Sequence, residues 1–281
     1  MDALWEPFTF AFFRNGLLVA TMAGALCGLI GTYVVLRSMS FIGHGLSHAI
    51  FGGFVASSLI GVNYLLGAGL WGLASALAIG AVTRRRPIGS DAAIGVITTA
   101  SFAIGLVLGD LFRGPQESFD AALFGSILGV SGRDVASVAS VSVAAVAVVF
   151  FAYRRLLFTT FDPDVAAVSG VRTARVDALL MLVLATSILV TLKVVGVTLL
   201  AATLVIPATV ARMMTNSFSR MLWLATGIGA LCGFVGMNLS YHLNWKSGPT
   251  IVLVGTALFC VALTFGGRRG RSRVDHLGHV G

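Results

Sequence analysis

Charge is scarce in this 281-residue chain, at 11% of residues against 57% hydrophobic, and that scarcity excludes an ordinary soluble globular protein. Acidic residues are the scarcer sign: 11 Asp and Glu stand against 19 Lys and Arg, for a net charge of +8. There are only three cysteines, Cys27, Cys232 and Cys260. All fall in apolar runs without metal-ligand spacing, which predicts small buried residues and argues against a thiolate metal cluster. The chain has no Gly-x-x-x-x-Gly-Lys-Ser/Thr run, so any ATP hydrolysis tied to it must come from another subunit. Its first residues carry Asp2 and Glu6 and no basic cluster, which predicts a retained first helix and no cleaved signal.

What the chain does have is length without charge. Asn15–Leu36, Ala92–Gly109, Val135–Tyr153, Val194–Ala211, Met221–Trp245 and Ser247–Gly267 each lack Asp, Glu, Lys and Arg. A membrane-crossing helix needs about 20 such residues. Ser38–Thr83 runs 46 residues without a charge, enough for two crossings. Ala178–Leu192 is shorter, but Asp177 and Lys193 can extend it by reaching the interfaces.

The expected fold is an all-α, polytopic membrane helix bundle of about nine transmembrane helices, eight being the neighbouring count. The helices are placed near 10–36, 42–60, 65–83, 92–112, 134–155, 175–194, 197–215, 219–243 and 250–266. One transmembrane domain would cover residues 1–267. A basic cytoplasmic tail without fixed structure would follow at 268–281. The 34 glycines suit close helix packing in lipid. The apolar segment 119–132 is too short to cross twice and is expected to form a short re-entrant or surface helix on the outer side.

Nine crossings place 14 of the basic residues on one side and 5 on the other. The positive-inside rule then sets the N-terminus outside and the C-terminus in the cytoplasm. The basic excess thus reads as a topology signal, with no nucleic-acid partner.

Two histidines interrupt the longest uncharged run. His44 and His48 stand at i and i+4, so one helix face carries both imidazoles. Ionisable side chains at membrane depth are costly and mark functional positions. Imidazole is also a common ligand of borderline divalent metals. Ser47, between them, is a candidate pathway hydroxyl. His242, near the outer end of the eighth span, is a candidate first contact for an incoming ion. Pro207 interrupts the seventh span and is a candidate hinge, since it frees a backbone carbonyl.

The longest polar interruption is 158–175, within which 161–170 reads as a short helix. Asp162 suits the N-cap, Pro163 the first helical position and Gly170 the stop. Such a helix can be an inert turn or a knob that a cytoplasmic partner grips.

The stretch Leu36-Arg37-Ser38-Met39-Ser40-Phe41-Ile42-Gly43-His44-Gly45-Leu46-Ser47-His48-Ala49 resembles the second-helix signature of permeases in metal-ion ABC importers, the manganese, zinc and iron transporters served by a solute-binding protein. Four more segments resemble that family in the same order. They are Ser90-Asp91-Ala92-Ala93-Ile94-Gly95-Val96, Phe161-Asp162-Pro163-Asp164 with Gly170, Val195–Leu200 with Ile206-Pro207-Ala208, and Ser247-Gly248-Pro249-Thr250-Ile251-Val252.

The resemblance implies a type II ABC importer-like permease in the cell inner (cytoplasmic) membrane, working as a homodimer by alternating access. It implies cytoplasmic ATP-binding subunits, an extracytoplasmic metal-binding protein, no permanently bound cofactor and no enzymatic activity of its own. On this reading Asp162, Pro163, Asp164 and Gly170 form the helix that couples to the ATPase. The family usually has Asp-x-x-x-His where this chain has His44 and His48. Two neutral imidazoles favour zinc over the harder manganese ion, and two copies of the pair across a two-fold axis would supply four nitrogens. Zinc is therefore the expected ion, with manganese or iron as the alternative.

Two other classes fit less well. A His-Glu-x-x-His metalloenzyme needs a general base, and Gly45, Leu46 and Ser47 cannot serve. Secondary transporters usually couple through buried carboxylates or lysines in the spans, and none lies mid-span here.

Overall fold

The computed structural model describes residues 6–59, 61, 64–85, 90–112, 125, 130–197 and 199–275, and among them regular structure is helical throughout. A 3-10 turn, Glu6–Thr9, leads into α1 (Ala11–Leu36), α2 (Ile42–Leu59), α3 (Tyr64–Arg85), α4 (Ser90–Phe112) and α5 (Gly132–Phe161). The short α6 (Pro163–Val168) follows, then α7 (Thr173–Val195), α8 (Leu200–Met214), α9 (Phe218–Leu243) and α10 (Ser247–Asp275). Apart from α6, each helix matches one expected span. Seven are long and apolar enough to cross a membrane. The exceptions are α8, with 15 residues, and α2, whose apolar character is diluted by the two histidines and its serines.

Several helix ends differ from the sequence reading, among them the C-terminal end of α5, which runs to Phe161 where 155 was expected. Helix α5 starts at Gly132 because the Asp134 carboxylate accepts from both the backbone N–H and the hydroxyl of Ser131, at 2.7 Å each, a reciprocal cap that nucleates the first turn. Helix α10 runs to Asp275, so residues 268–275 continue it where a tail without fixed structure was expected. Nothing in Arg268–Asp275 breaks a helix as proline would. Residues 276–281 lie outside the described residues, as does most of the segment 119–132.

Helix α1 is buried along most of its length and packs on α9, α8, α5 and α7. Its contact with α9 is a glycine seam: a Cβ at Gly24 would run into the Gly229 carbonyl, and one at Gly229 into the Gly24 carbonyl. Backbones this close suit lipid, where association depends on packing and not on water exclusion. Helix α2 packs on α4 and α3, and α7 and α8 bridge the two groups. Large apolar side chains on α5 point outward, Phe150 at 75% and Phe151 at 85% exposure. That would be an aggregation hazard in water and is ordinary against acyl chains.

Between α7 and α8 the helix breaks at Gly196, whose φ is 84°, and Val197 is fully buried there. Non-helical backbone at such depth needs internal partners. Ser47 on α2 donates to the Val197 carbonyl at 3.0 Å, and Ser247 at the start of α10 donates to the Val194 carbonyl at 3.3 Å. Three segments that resemble the permease family are thereby joined at one break.

Candidate functional site

The chain leaves α1 through a tight reversal. Ser38 takes a left-handed φ of 55°, Met39 N–H donates to the Val34 carbonyl at 2.9 Å, and Ile42 N–H to the Met39 carbonyl at 2.9 Å. Helix α2 therefore starts beside α1, with His44 in its first turn. His44 is exposed and His48 half-buried. Their rings meet edge to face at 4.4 Å between centroids, with 77° between planes, as the i, i+4 spacing requires. Sequence and structure agree that both imidazoles share one face.

Helix α4 fixes the second ring. Close approach of α2 to α4 is enforced at Gly52, where a Cβ would run into the Ser101 carbonyl. Phe102, the next residue on α4, lies edge to face on His48 at 4.6 Å and tilted against Phe51 at 5.6 Å. The His48 Nδ1 is buried and has no hydrogen-bond partner. Buried polar atoms are nearly always bonded, so an unpartnered imidazole nitrogen on an otherwise apolar helix is a strong candidate for a ligand-binding atom. Among the described residues, no cluster of three or more His, Cys, Asp or Glu gathers here or elsewhere. One chain thus presents two imidazoles on one helix face, with no third ligand of these types gathered beside them among the described residues.

The other candidates fall elsewhere. Ser47 turns its hydroxyl to backbone carbonyls. It is fully buried, and its hydroxyl lies within hydrogen-bond distance of the carbonyls of His44, at 2.8 Å, and Val197, so its visible work is to hold α2 on the α7–α8 break. His242 is exposed in the last turn of α9, edge to face with Tyr241 at 5.6 Å. Tyr241 in turn packs on Phe13 of α1. Pro207 is buried within α8.

The short surface helix has the expected local design. The Asp162 carboxylate accepts from Val165 N–H at 2.9 Å, Pro163 opens α6, and Gly170 closes it with φ at 82°. Asp164 is exposed in the first turn, where its charge suits the helix dipole. Ala166 is fully buried against the body, while Val165 and Val168 are 49% and 92% exposed. An apolar tip held on a buried base is suited to a protein partner's groove.

Sequence reasoning missed a polar clamp at the base of this helix. The Arg37 guanidinium donates through Nη1 to Asp177 Oδ1 at 2.7 Å, through Nη2 to Thr159 Oγ1 at 2.8 Å and through Nε to Thr160 Oγ1 at 3.1 Å. In the sequence, Arg37 was one of many cytoplasmic arginines and Asp177 a span end. The available signal was a lone carboxylate at the end of an apolar span, which calls for a cation.

The description "ABC 3 transport family" matches residues 9–266 of this chain. A manganese transport system membrane protein, MntC of Listeria innocua serovar 6a, is 33% identical over 261 residues, covering 93% of each chain. A Haemophilus influenzae protein named "Probable iron transport system membrane protein" is 34% identical over 264 residues, 94% of this chain and 97% of that one. Among solved structures, PsaBC from Streptococcus pneumoniae in complex with Fab superposes with a TM-score of 0.83 at 30% identity, over 93% of this chain and 95% of that one.

Proposed function

This chain belongs to the ABC 3 transport family, and from that membership we propose that it is the membrane-spanning permease subunit of an ATP-driven divalent-metal importer. The observation that carries the site is the His44–His48 pair, with its buried, unpartnered His48 Nδ1. The ion is substrate here: it binds the imidazoles on its way through and leaves. A two-nitrogen donor set is incomplete for a tetrahedral ion, which supports a homodimer that brings two pairs to one axis. The apolar tip of α6 is the contact for a separate cytoplasmic ATPase, and an extracytoplasmic metal-binding protein delivers the ion. The protein sits multi-pass in the cytoplasmic membrane with its N-terminus outside, as the arginine distribution supports. ATP binding closes the two subunits beneath the dimer and rocks the helix bundles between outward- and inward-open states.

For the metal, two neutral imidazoles favour zinc. The names of the relatives, which specify manganese and iron transport, favour the alternative. Uptake into proteoliposomes holding the complete transporter, with zinc, manganese and iron offered separately, separates the two. His44→Ala combined with His48→Ala should lower uptake of the transported metal by about 100-fold while leaving assembly with the ATPase intact. Normal uptake by that double variant would falsify the site. His44→Asp should shift preference toward manganese, and an unchanged metal profile counts against the zinc reading.

A further inference from the structure

We propose that Arg37 is a positioning residue that transmits movement of the surface helix α6 to the histidine-bearing helix α2. The inference rests on the reading of α6 as the ATPase contact. Three observations carry it.

The clamp spans the elements that flank α6 on both sides. Thr159 and Thr160 close α5 just before the Asp162 cap, and Asp177 lies in the first turns of α7 just after α6. One guanidinium binds all three side chains at 2.7 to 3.1 Å. Its planar fork holds these partners in fixed directions, which a flexible ammonium would not.

Arg37 also differs from those basic residues assigned to the same side whose side chains are described. Arg154, Arg155, Arg172, Arg175, Arg212 and Arg220 are exposed, as topology-setting charges should be. The Arg37 side chain is 10% exposed and that of Asp177 25%. A charge drawn out of water onto three side-chain partners is costly to move independently of them.

Finally, Arg37 is the C-cap of α1, and the left-handed Ser38 joins it to α2, whose first turn holds His44. The reversal between them is closed by backbone bonds from Ser38 to Val35 and from Met39 to Val34, so little slack separates clamp from site. A ring chain runs alongside. Phe161, the residue before the Asp162 cap, meets Phe218 at 5.8 Å, and Phe218 meets Tyr33 of α1 at 5.6 Å. Pressure on α6 reaches the end of α1 through a polar fork and an apolar stack together.

The test measures metal uptake and ATP hydrolysis in the same proteoliposomes carrying the assembled complex. Arg37→Gln should keep hydrolysis within about twofold of wild type but lower metal moved per ATP by at least about fivefold. Arg37→Lys, which keeps the ion pair and loses the fork, should fall between. A wild-type ratio in Arg37→Gln overturns the proposal. So does a parallel loss of hydrolysis and uptake, which would make the clamp a fold support only. If Arg37→Gln does not assemble, Thr159→Val with Thr160→Val keeps the ion pair. It should show the same fall in ratio, and an unchanged ratio again overturns the proposal.

A second readout does not depend on metal. Spin labels placed through cysteines at the exposed Ser169, just after α6, and Phe41, just before α2, in a chain with the exposed Cys260 changed to serine, report the α6–α2 distance. ATP should change that distance in wild type and not in Arg37→Gln; equal changes in both refute transmission through Arg37. Normal uptake by the double histidine variant would remove the metal site and leave this distance test standing.

Discussion

The His44–His48 face and the Arg37 clamp are the two polar features set furthest against the apolar character of the bundle, and they are built in opposite ways. The clamp is engaged at every nitrogen: Nε, Nη1 and Nη2 of Arg37 each donate to an oxygen within 3.1 Å. The histidine face is left open, with one exposed ring and one buried nitrogen that bonds nothing. Saturated polar groups in apolar surroundings hold elements together, because each partner is costly to lose. An unsaturated one adds nothing to the fold, so its presence is explained by something that binds it. The same chemistry thus separates the proposed mechanical joint from the proposed binding face.

That contrast makes a ranked set of predictions for thermal unfolding of the detergent-purified protein. The largest loss belongs to Asp177→Leu, which leaves a mostly buried guanidinium without its counter-ion. Breaking buried pairs costs several kcal/mol, and the partial exposure here brings the expectation to about 2 kcal/mol. Ser47→Ala comes next. It strips the Val197 carbonyl of its donor at the α7–α8 break and should cost about 1 kcal/mol. Metal uptake per folded molecule should stay near wild type, because the hydroxyl is engaged with backbone carbonyls. The smallest effect belongs to His48→Ala, expected to fall within about 1 kcal/mol of wild type because its Nδ1 has no bond to lose and only ring packing on Phe102 is removed. A collapse in stability for His48→Ala, or none for Asp177→Leu, would break the contrast.

Much of this arrangement is legible in one dimension, and for local reasons. A run of residues without charge is a local property, so the nine long helices could be placed from the gaps between charges. The i, i+4 spacing puts His44 and His48 on one face of any helix. Asp162, Pro163 and Gly170 each act within one turn of their own position, and the short helix formed between them as expected. The boundary errors have local causes too. The Ser131–Asp134 cap was overlooked, and the helix through Arg268–Asp275 continues because nothing in it forces an end.

Other features were not legible because they depend on partners far along the chain. Ser47 looks like the histidines' neighbour in sequence, yet one residue before His48 is about 100° around a helix. That turn sends its hydroxyl to Val197 on another element. The glycine content of α1 and α9 suggested close packing, but whether Gly227 or Gly229 makes the contact depends on the rotation of the two helices. The structure chose Gly229, with nothing near Gly227. Arg37 and Asp177 each have an ordinary local explanation as a charge flanking a span and a span end.

The sequence by itself determined that this chain lies in a membrane, where its apolar helices fall along the chain, and that one helix presents two imidazoles. Those follow from hydropathy and from 3.6 residues per turn, which hold wherever the helix sits. Only the tertiary structure decided which imidazole is buried, that Phe102 holds it, and that Arg37 closes a clamp on Thr159, Thr160 and Asp177. Those depend on how the helices rotate and approach one another, and in lipid that is settled by side-chain fit across the whole bundle.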